Sequence, residues 1–230
     1  MLNESASRRH PVRTWCLRLL AIAGLFVLYQ VAEMPLAVAS RFHRQVWLSI
    51  GFQLFALILL GLLAWGLVVL YRRQPAFTTV LNVPKHRGRA LASLLVLLYA
   101  GNLIVGLLNP QTPLNQSVVA KLVHGMPVTL TIMTVLLAPV IEEVIFRGLM
   151  YRWLFNRLTN WPRVLVAVVV TTLLFALAHN PSFDAGLLHY LPMALVFSVT
   201  YLWFQDLRYS LTLHVIINGI GVLALLLGAS

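Results

Sequence analysis

Seven long apolar segments constrain the fold of this chain more than any other feature. They cover residues 15–38, 47–71, 90–108, 126–150, 163–181, 187–205 and 209–228. A helix needs about 20 mostly apolar residues to cross a bilayer, and backbone groups in lipid must be satisfied within the segment. The sequence therefore predicts an all-α fold, a polytopic transmembrane helix bundle of about seven spans, in a multi-pass protein of the cell membrane.

The composition excludes a soluble domain. Only 10% of the 230 residues are charged, whereas a soluble domain has about a quarter. Hydrophobic residues make up 60%, and the mean hydropathy is +0.86. The net charge of +11 reflects a scarcity of acidic residues, 6 against 17 Lys and Arg. We interpret the basic residues as loop cations and predict no nucleic-acid partner.

The distribution of Lys and Arg predicts the orientation. With the N-terminus in the cytoplasm, the outer regions hold three basic residues, Arg41, Arg44 and Lys121, and all others fall on the inner side. This bias predicts a cytoplasmic N-terminus and an external C-terminus. A further re-entrant or interfacial helix over residues 115–124 would leave the orientation unchanged.

The N-terminal region imitates a secretory signal peptide, because Arg8 and Arg9 precede an apolar run. The run is long for a signal sequence, so we interpret it as an uncleaved first helix. Cys16 is the single cysteine and can form no intrachain disulfide. We expect one membrane domain over residues 1–230, with its motif-bearing catalytic part at about 126–228.

Two adjacent acidic residues, Glu142 and Glu143, lie within the fourth apolar segment. Carboxylates at membrane depth usually face a protein interior or a water-filled cavity. Glu143 precedes Arg147 by four residues, the favourable order for a helical ion pair. Glu142 points about 100° away and has no cationic neighbour on its own face. Glu142 is therefore the better candidate for a general base, and Glu143 for a structural partner of Arg147.

Two histidines and an asparagine follow in later apolar segments. His214 and Asn218 are four residues apart and share one helix face. Glu142 and His179 each lie about 18 residues from the turn at residues 160–162, or about 27 Å along antiparallel helices. His214 lies only about 10 Å beyond its own turn, near residue 207. His179 and His214 lie at the same depth only if the hairpin of the fourth and fifth segments protrudes about 15 Å into the cytoplasm, given a rise of about 1.5 Å per residue.

Glu142, His179, His214 and Asn218 together can form a hydrolytic set. A carboxylate can take a proton from water, an imidazole can orient that water, and His and Asn can donate to a developing oxyanion. Glu142, His179 and His214 could instead hold a divalent metal such as zinc. No His-Glu-x-x-His helix is present, so a zincin-type site is not supported.

Three motifs resemble the signatures of a known family. They are Glu142-Glu143-Val-Ile-Phe-Arg147-Gly, Phe175-x-x-x-His179 and His214-x-x-x-Asn218. They are similar to those of the CPBP intramembrane endopeptidases, which include type II CAAX prenyl proteases and Abi-type bacteriocin-immunity proteins.

The resemblance implies roles for the motif residues. Glu142 and His179 would activate water, and His214 and Asn218 would stabilise the oxyanion. Glu143, Arg147 and Phe175 would shape the site. Both a metal-dependent and a metal-free glutamate mechanism are compatible with the resemblance.

The sequence thus predicts an intramembrane endopeptidase whose partners are membrane lipid and a peptide or protein substrate, either lipidated or unlipidated. Two alternatives from other classes remain. One is a non-catalytic membrane scaffold or bacteriocin-immunity protein that retains the motifs for packing. The other is a transporter, because buried Glu and His also mark proton relays, although the two halves show no hydropathy symmetry.

Overall fold

The computed structural model of the chain describes residues 11–42, 44–110 and 114–228, without the side chains of residues 11, 12, 114 and 115. Arg8 and Arg9, which give the signal-like pattern, lie outside the described residues. Ten α-helices occur within the described part of the chain: α1 (Pro11–Arg41), α2 (Val46–Arg72), α3 (Arg87–Leu108), α4 (Leu114–Val123), α5 (Pro127–Ile132), α6 (Ala138–Glu143), α7 (Met150–Trp153), α8 (Trp161–His179), α9 (Leu191–Phe204) and α10 (Leu207–Leu226).

Seven helical segments of the described chain are long and apolar enough to cross a membrane. Their ends lie close to the predicted ones, and the prediction of a polytopic all-α bundle is confirmed. The chain is a multi-pass membrane protein. Many large apolar side chains on the outer faces are exposed, as lipid-facing residues should be, with Leu107 75% and Trp65 69% exposed.

The short helix α4 coincides with residues 115–124, where the sequence allows a further re-entrant or interfacial helix. It ends at Val123, which is completely buried beside Met126, Leu130 and Val222. Since Val222 belongs to α10, this packing fixes α4 against the last span of the bundle.

The fourth span, Pro127–Trp153, is the centre of the bundle. Half of the most apolar stretch of this span is buried inside the protein, whereas only 11% of the corresponding stretch of α3 is buried. It contains α5, α6 and α7, joined by two π-helical segments, Met133–Leu137 and Val144–Leu149. Its neighbours are α1, α2, α8, α9 and α10. Because π-helical turns often accompany functional sites, their position on either side of α6 is notable: α6 ends with the two adjacent glutamates.

A small parallel sheet joins two of the links between spans, and the sequence did not predict it. Strand β1 (Thr78–Thr79) pairs with strand β2 (Arg157–Leu158). Strands of two residues carry too little alternation to be read from sequence. The link that precedes α8 is thereby tied to the link between α2 and α3.

Two side-chain caps set the starts of the helices that carry the histidines. Asn160 accepts a hydrogen bond from the backbone N–H of Arg163 at the start of α8, and Asp206 accepts one from Arg208 at the start of α10. The Arg208 side chain also donates to the Asp206 carboxylate and holds the pKa of that carboxyl below its ordinary value. These caps define where α8 and α10 begin, and hence how far along each helix its histidine lies.

Candidate active site

Glu142 lies at the centre of a group of polar side chains from four helical segments, and it is only 6% exposed. Its Oε1 accepts a hydrogen bond of 3.0 Å from the Tyr29 hydroxyl on α1. Its Oε2 lies 3.5 Å from Nε2 of His179 and 3.6 Å from Nε2 of His214. The three predicted residues Glu142, His179 and His214 therefore meet at one carboxylate oxygen.

The position of His179 is fixed by its own helix. It is the last residue of α8, and its Nδ1 lies 2.9 Å from the carbonyl oxygen of Phe175. A carbonyl oxygen can only accept, so Nδ1 carries the proton and donates it. In the neutral imidazole this leaves a lone pair on Nε2, the nitrogen that faces Glu142. The imidazole also lies against the Phe175 ring, with 4.3 Å between centroids.

His214 has the same arrangement on α10. Its Nδ1 lies 3.1 Å from Oε1 of Glu143. His214 therefore donates its Nδ1 proton to the Glu143 carboxylate, and Nε2 is again turned towards Glu142. The imidazole is stacked on Phe197 with a centroid distance of 4.6 Å. Both histidines thus present the same nitrogen to Glu142, and a separate acceptor holds the other nitrogen of each.

Because both histidines face Glu142, they must lie at the same depth in the bundle. His179 lies eighteen residues beyond the start of α8, about 27 Å, whereas His214 lies seven residues beyond the start of α10, about 10 Å. If both helices run along the bundle axis, α8 must begin about 15 Å further towards the predicted cytoplasmic side, from the same rise per residue. The sheet between β1 and β2 holds the chain just before that start.

The ion pair predicted between Glu143 and Arg147 is present. Nη1 of Arg147 lies 3.1 Å from Oε1 of Glu143, and both side chains are completely buried. Arg147 also donates to the carbonyl oxygen of Ala194 at 3.1 Å and lies 4.2 Å from the Phe175 ring centroid. Arg147, Glu143 and His214 therefore form a buried chain of polar contacts behind Glu142.

Asn218 lies one helical turn beyond His214, and its side chain is hydrogen-bonded to a residue other than Glu142. Its Nδ2 donates to the carbonyl oxygen of Thr134 at 2.9 Å. Since a carboxamide nitrogen has two protons, this bond leaves one for another acceptor. Thr134 lies in the first π-helical segment, so the fourth span also orients the Asn218 carboxamide.

All four residues of the predicted hydrolytic set line one cavity of about 730 Å³. A cavity of this size can hold a short stretch of peptide or a drug-sized ligand. The remaining lining is largely apolar. Glu142, His179, His214 and Asn218, drawn from three spans, are brought to one space.

The cavity is lined by further polar residues that the sequence did not predict as site residues, among them Tyr29, Glu33 and His189. Glu33 and His189 stand near span ends in the sequence, where interfacial residues are expected. Tyr29 is more than a hundred positions from Glu142. A tyrosine in an apolar run has no distinguishing local pattern, so only the packing of α1 identifies it.

The donor types around Glu142 resemble those of zinc sites, which use imidazole and carboxylate ligands. Among the described residues, however, no three His, Cys, Asp or Glu side chains are arranged to hold a metal ion. The metal ligand set Glu142, His179 and His214 therefore stays a prediction from the sequence.

Comparison with known proteins addresses the same part of the chain. The sequence profile of type II CAAX prenyl endopeptidases, Rce1-like, matches residues 124–220, which include all four residues of the hydrolytic set. Residues 124–220 are thus similar to the CPBP family of intramembrane endopeptidases. The resemblance seen in the three motifs is thus confirmed for this region.

A curated relative supports the same resemblance. The membrane-embedded CAAX protease MroQ of Staphylococcus aureus (strain USA300) is 33% identical over 94 residues, which cover 40% of this chain and 37% of the relative. The chain thus spans well under half the length of that relative. No solved structure matches the chain.

Proposed function

We propose that this chain is a membrane-embedded endopeptidase that hydrolyses a peptide bond with water activated by Glu142. The convergence of two imidazole Nε2 atoms on Oε2 of Glu142, a buried residue that lines the cavity, is the observation that carries the proposal. The similarity of residues 124–220 to type II CAAX prenyl endopeptidases also supports it.

The first step is proton abstraction. A water molecule between Glu142 and His179 is polarised from both sides, since Oε2 and the Nε2 lone pair can each accept one of its protons. The proton goes to Glu142, and the hydroxide attacks the carbonyl carbon of the substrate. The Phe175 carbonyl keeps the proton of His179 on Nδ1, so that Nε2 stays an acceptor.

The second step is stabilisation of the oxyanion and departure of the amine. Asn218 has one amide proton free to donate to the tetrahedral oxyanion. His214 donates from Nε2 when protonated, with its Nδ1–H held by Glu143. As the carbon–nitrogen bond breaks, Glu142 transfers its proton to the leaving nitrogen, so that water ends as the new carboxyl and amine groups.

The substrate is proposed to be a peptide or protein that enters from the membrane, and a lipidated one is compatible with the apolar lining of the cavity. The test incubates the purified protein in lipid nanodiscs with lipidated and unlipidated peptide libraries, and detects products by mass spectrometry. Cleavage by wild type and none by Glu142→Gln supports the proposal. Intact libraries with a folded wild-type protein would favour the scaffold or bacteriocin-immunity alternative.

Exhaustive chelation forms a second arm of this experiment and tests the metal-dependent alternative. Unchanged turnover after chelation supports water activation by Glu142 and His179 alone. Loss of turnover that a divalent ion restores would assign Glu142, His179 and His214 to a metal site.

A further inference from the structure

Helix α1 lies outside residues 124–220, yet it reaches the centre of the site. The Tyr29 hydroxyl donates to Oε1 of Glu142 at 3.0 Å, and the Tyr29 side chain is only 4% exposed. This hydrogen bond is the shortest of the three polar contacts that Glu142 makes with described residues, since the two imidazoles are at 3.5 and 3.6 Å.

The two oxygens of the Glu142 carboxylate have different surroundings. Oε1 is bound by Tyr29, whereas Oε2 faces His179 and His214. A carboxylate is planar, so a hydrogen bond that fixes Oε1 also fixes the direction of Oε2. The imidazoles are held independently, one by the Phe175 carbonyl and the other by Glu143. Tyr29 completes this set of supports, because it does for Glu142 what those acceptors do for the histidines.

Packing of α1 holds the Tyr29 ring in place. The ring lies edge-on to Phe26 at 6.2 Å, and Phe26 in turn lies edge-on to Phe146 at 5.7 Å. Phe146 belongs to the π-helical segment that directly follows Glu143. The aromatic contacts therefore connect α1 to the same span that carries Glu142. The Tyr29 hydroxyl and the Glu142 carboxylate are thus held together both by their hydrogen bond and by these ring contacts.

We propose that Tyr29 is a positioning residue for Glu142, and that its hydroxyl directs Oε2 towards the water that lies between this carboxylate and His179. This inference rests on the proposed function in so far as it concerns turnover. The orientation of the carboxylate can be measured without any substrate.

The test compares Tyr29→Phe with a matched control, Tyr151→Phe. Tyr151 is completely buried, and its hydroxyl lies 3.0 Å from Oγ1 of Thr171, so each variant removes one buried hydroxyl bond. Tyr151 does not line the cavity. Tyr29→Phe should lower kcat about 10- to 100-fold with KM unchanged. A loss of this size is usual when a residue that orients an active-site side chain by a hydrogen bond is removed. Tyr151→Phe should leave kcat unchanged even if its thermal stability falls as much as that of Tyr29→Phe.

Infrared spectroscopy provides the readout that does not depend on activity. The carboxyl absorption of Glu142 is assigned by subtracting the spectrum of Glu142→Gln from that of wild type. Tyr29→Phe should shift this band, because the carboxyl loses a hydrogen bond, and Tyr151→Phe should not. If Tyr29→Phe does not fold, 3,5-difluorotyrosine introduced at position 29 keeps the ring and alters the strength of the bond, and it should shift the same band.

The outcomes separate the two proposals. A shifted band in a protein that cleaves nothing supports the positioning role and contradicts the proposed function. An unshifted Glu142 band, or wild-type kcat in Tyr29→Phe, overturns the positioning role and leaves the proposed function standing.

Discussion

Glu143 and His214 are joined by a buried contact of 3.1 Å between Oε1 and Nδ1. The same carboxylate oxygen lies 3.1 Å from Nη1 of Arg147. Glu143 thus combines the structural ion pair expected from its spacing with a contact to one of the two histidines that face Glu142. A change at Glu143 should accordingly affect both stability and the site.

The Glu143–Arg147 pair is predicted to act mainly through stability. Arg147→Ala leaves the Glu143 carboxylate buried without its arginine partner, and the loss of one partner of a buried pair costs about 3–5 kcal/mol. Thermal unfolding in detergent should show a large decrease in the midpoint. The control is Arg208→Ala at the pair with Asp206, where the arginine is 85% exposed, and its midpoint should hardly change. Equal midpoints for the two variants would contradict the structural role of the buried pair.

Gly148 is predicted to be required for close packing of the fourth span against α2. A Cβ at this position would lie 2.8 Å from Cδ2 of Tyr71, and the Tyr71 ring is itself covered by the Arg152 guanidinium at 3.8 Å. Gly148→Ala should therefore lower the free energy of unfolding by about 1–3 kcal/mol.

Gly66→Ala is the matched control for this substitution, since nothing lies within 4 Å of an added Cβ there. Alanine is the better helix former by about 1 kcal/mol, so this variant should be as stable as wild type or more so. Equal destabilisation by Gly66→Ala and Gly148→Ala would mean that the contact with Tyr71 is not the cause.

Asn218 is predicted to contribute to turnover without being indispensable. Loss of one oxyanion donor costs about 10²–10³ in kcat, and His214 remains as a second donor. Asn218→Ala should therefore cleave slowly but measurably in the peptide assay, with KM little changed. Complete inactivity of a stable Asn218→Ala protein would assign it a role beyond that of an oxyanion donor.

The orientation in the membrane is predicted from the distribution of basic residues. Reporter fusions should place the N-terminus and the link at residues 72–89 in the cytoplasm, and the C-terminus outside. The seven candidate spans agree with termini on opposite sides. A cytoplasmic reporter signal from the C-terminus would contradict this topology.

The sequence was sufficient to predict the spans and the four residues Glu142, His179, His214 and Asn218 as one group. The apolar segments are long and strongly marked, and rare ionisable residues within them stand out against the apolar background. The Glu143–Arg147 pair was also predictable, because its partners are one helical turn apart.

Long-range contacts could not be predicted from the sequence alone. Tyr29 meets Glu142 only through the packing of α1, which no local pattern encodes. The contact between His214 and Glu143 depends on the relative rotation of α10 and the fourth span. The pairing of β1 with β2 involves two residues from each strand, too few for any periodicity.

Turnover of Glu142→Gln, set beside its thermal stability, tests the central claim most directly. Glutamine keeps the shape of the side chain and can still accept from Tyr29, but it cannot take a proton from water. The account predicts that cleavage falls by about 10²-fold or more while the unfolding midpoint in detergent stays near that of wild type. Cleavage at the wild-type rate by Glu142→Gln would contradict the account, because Glu142 would then not be the base.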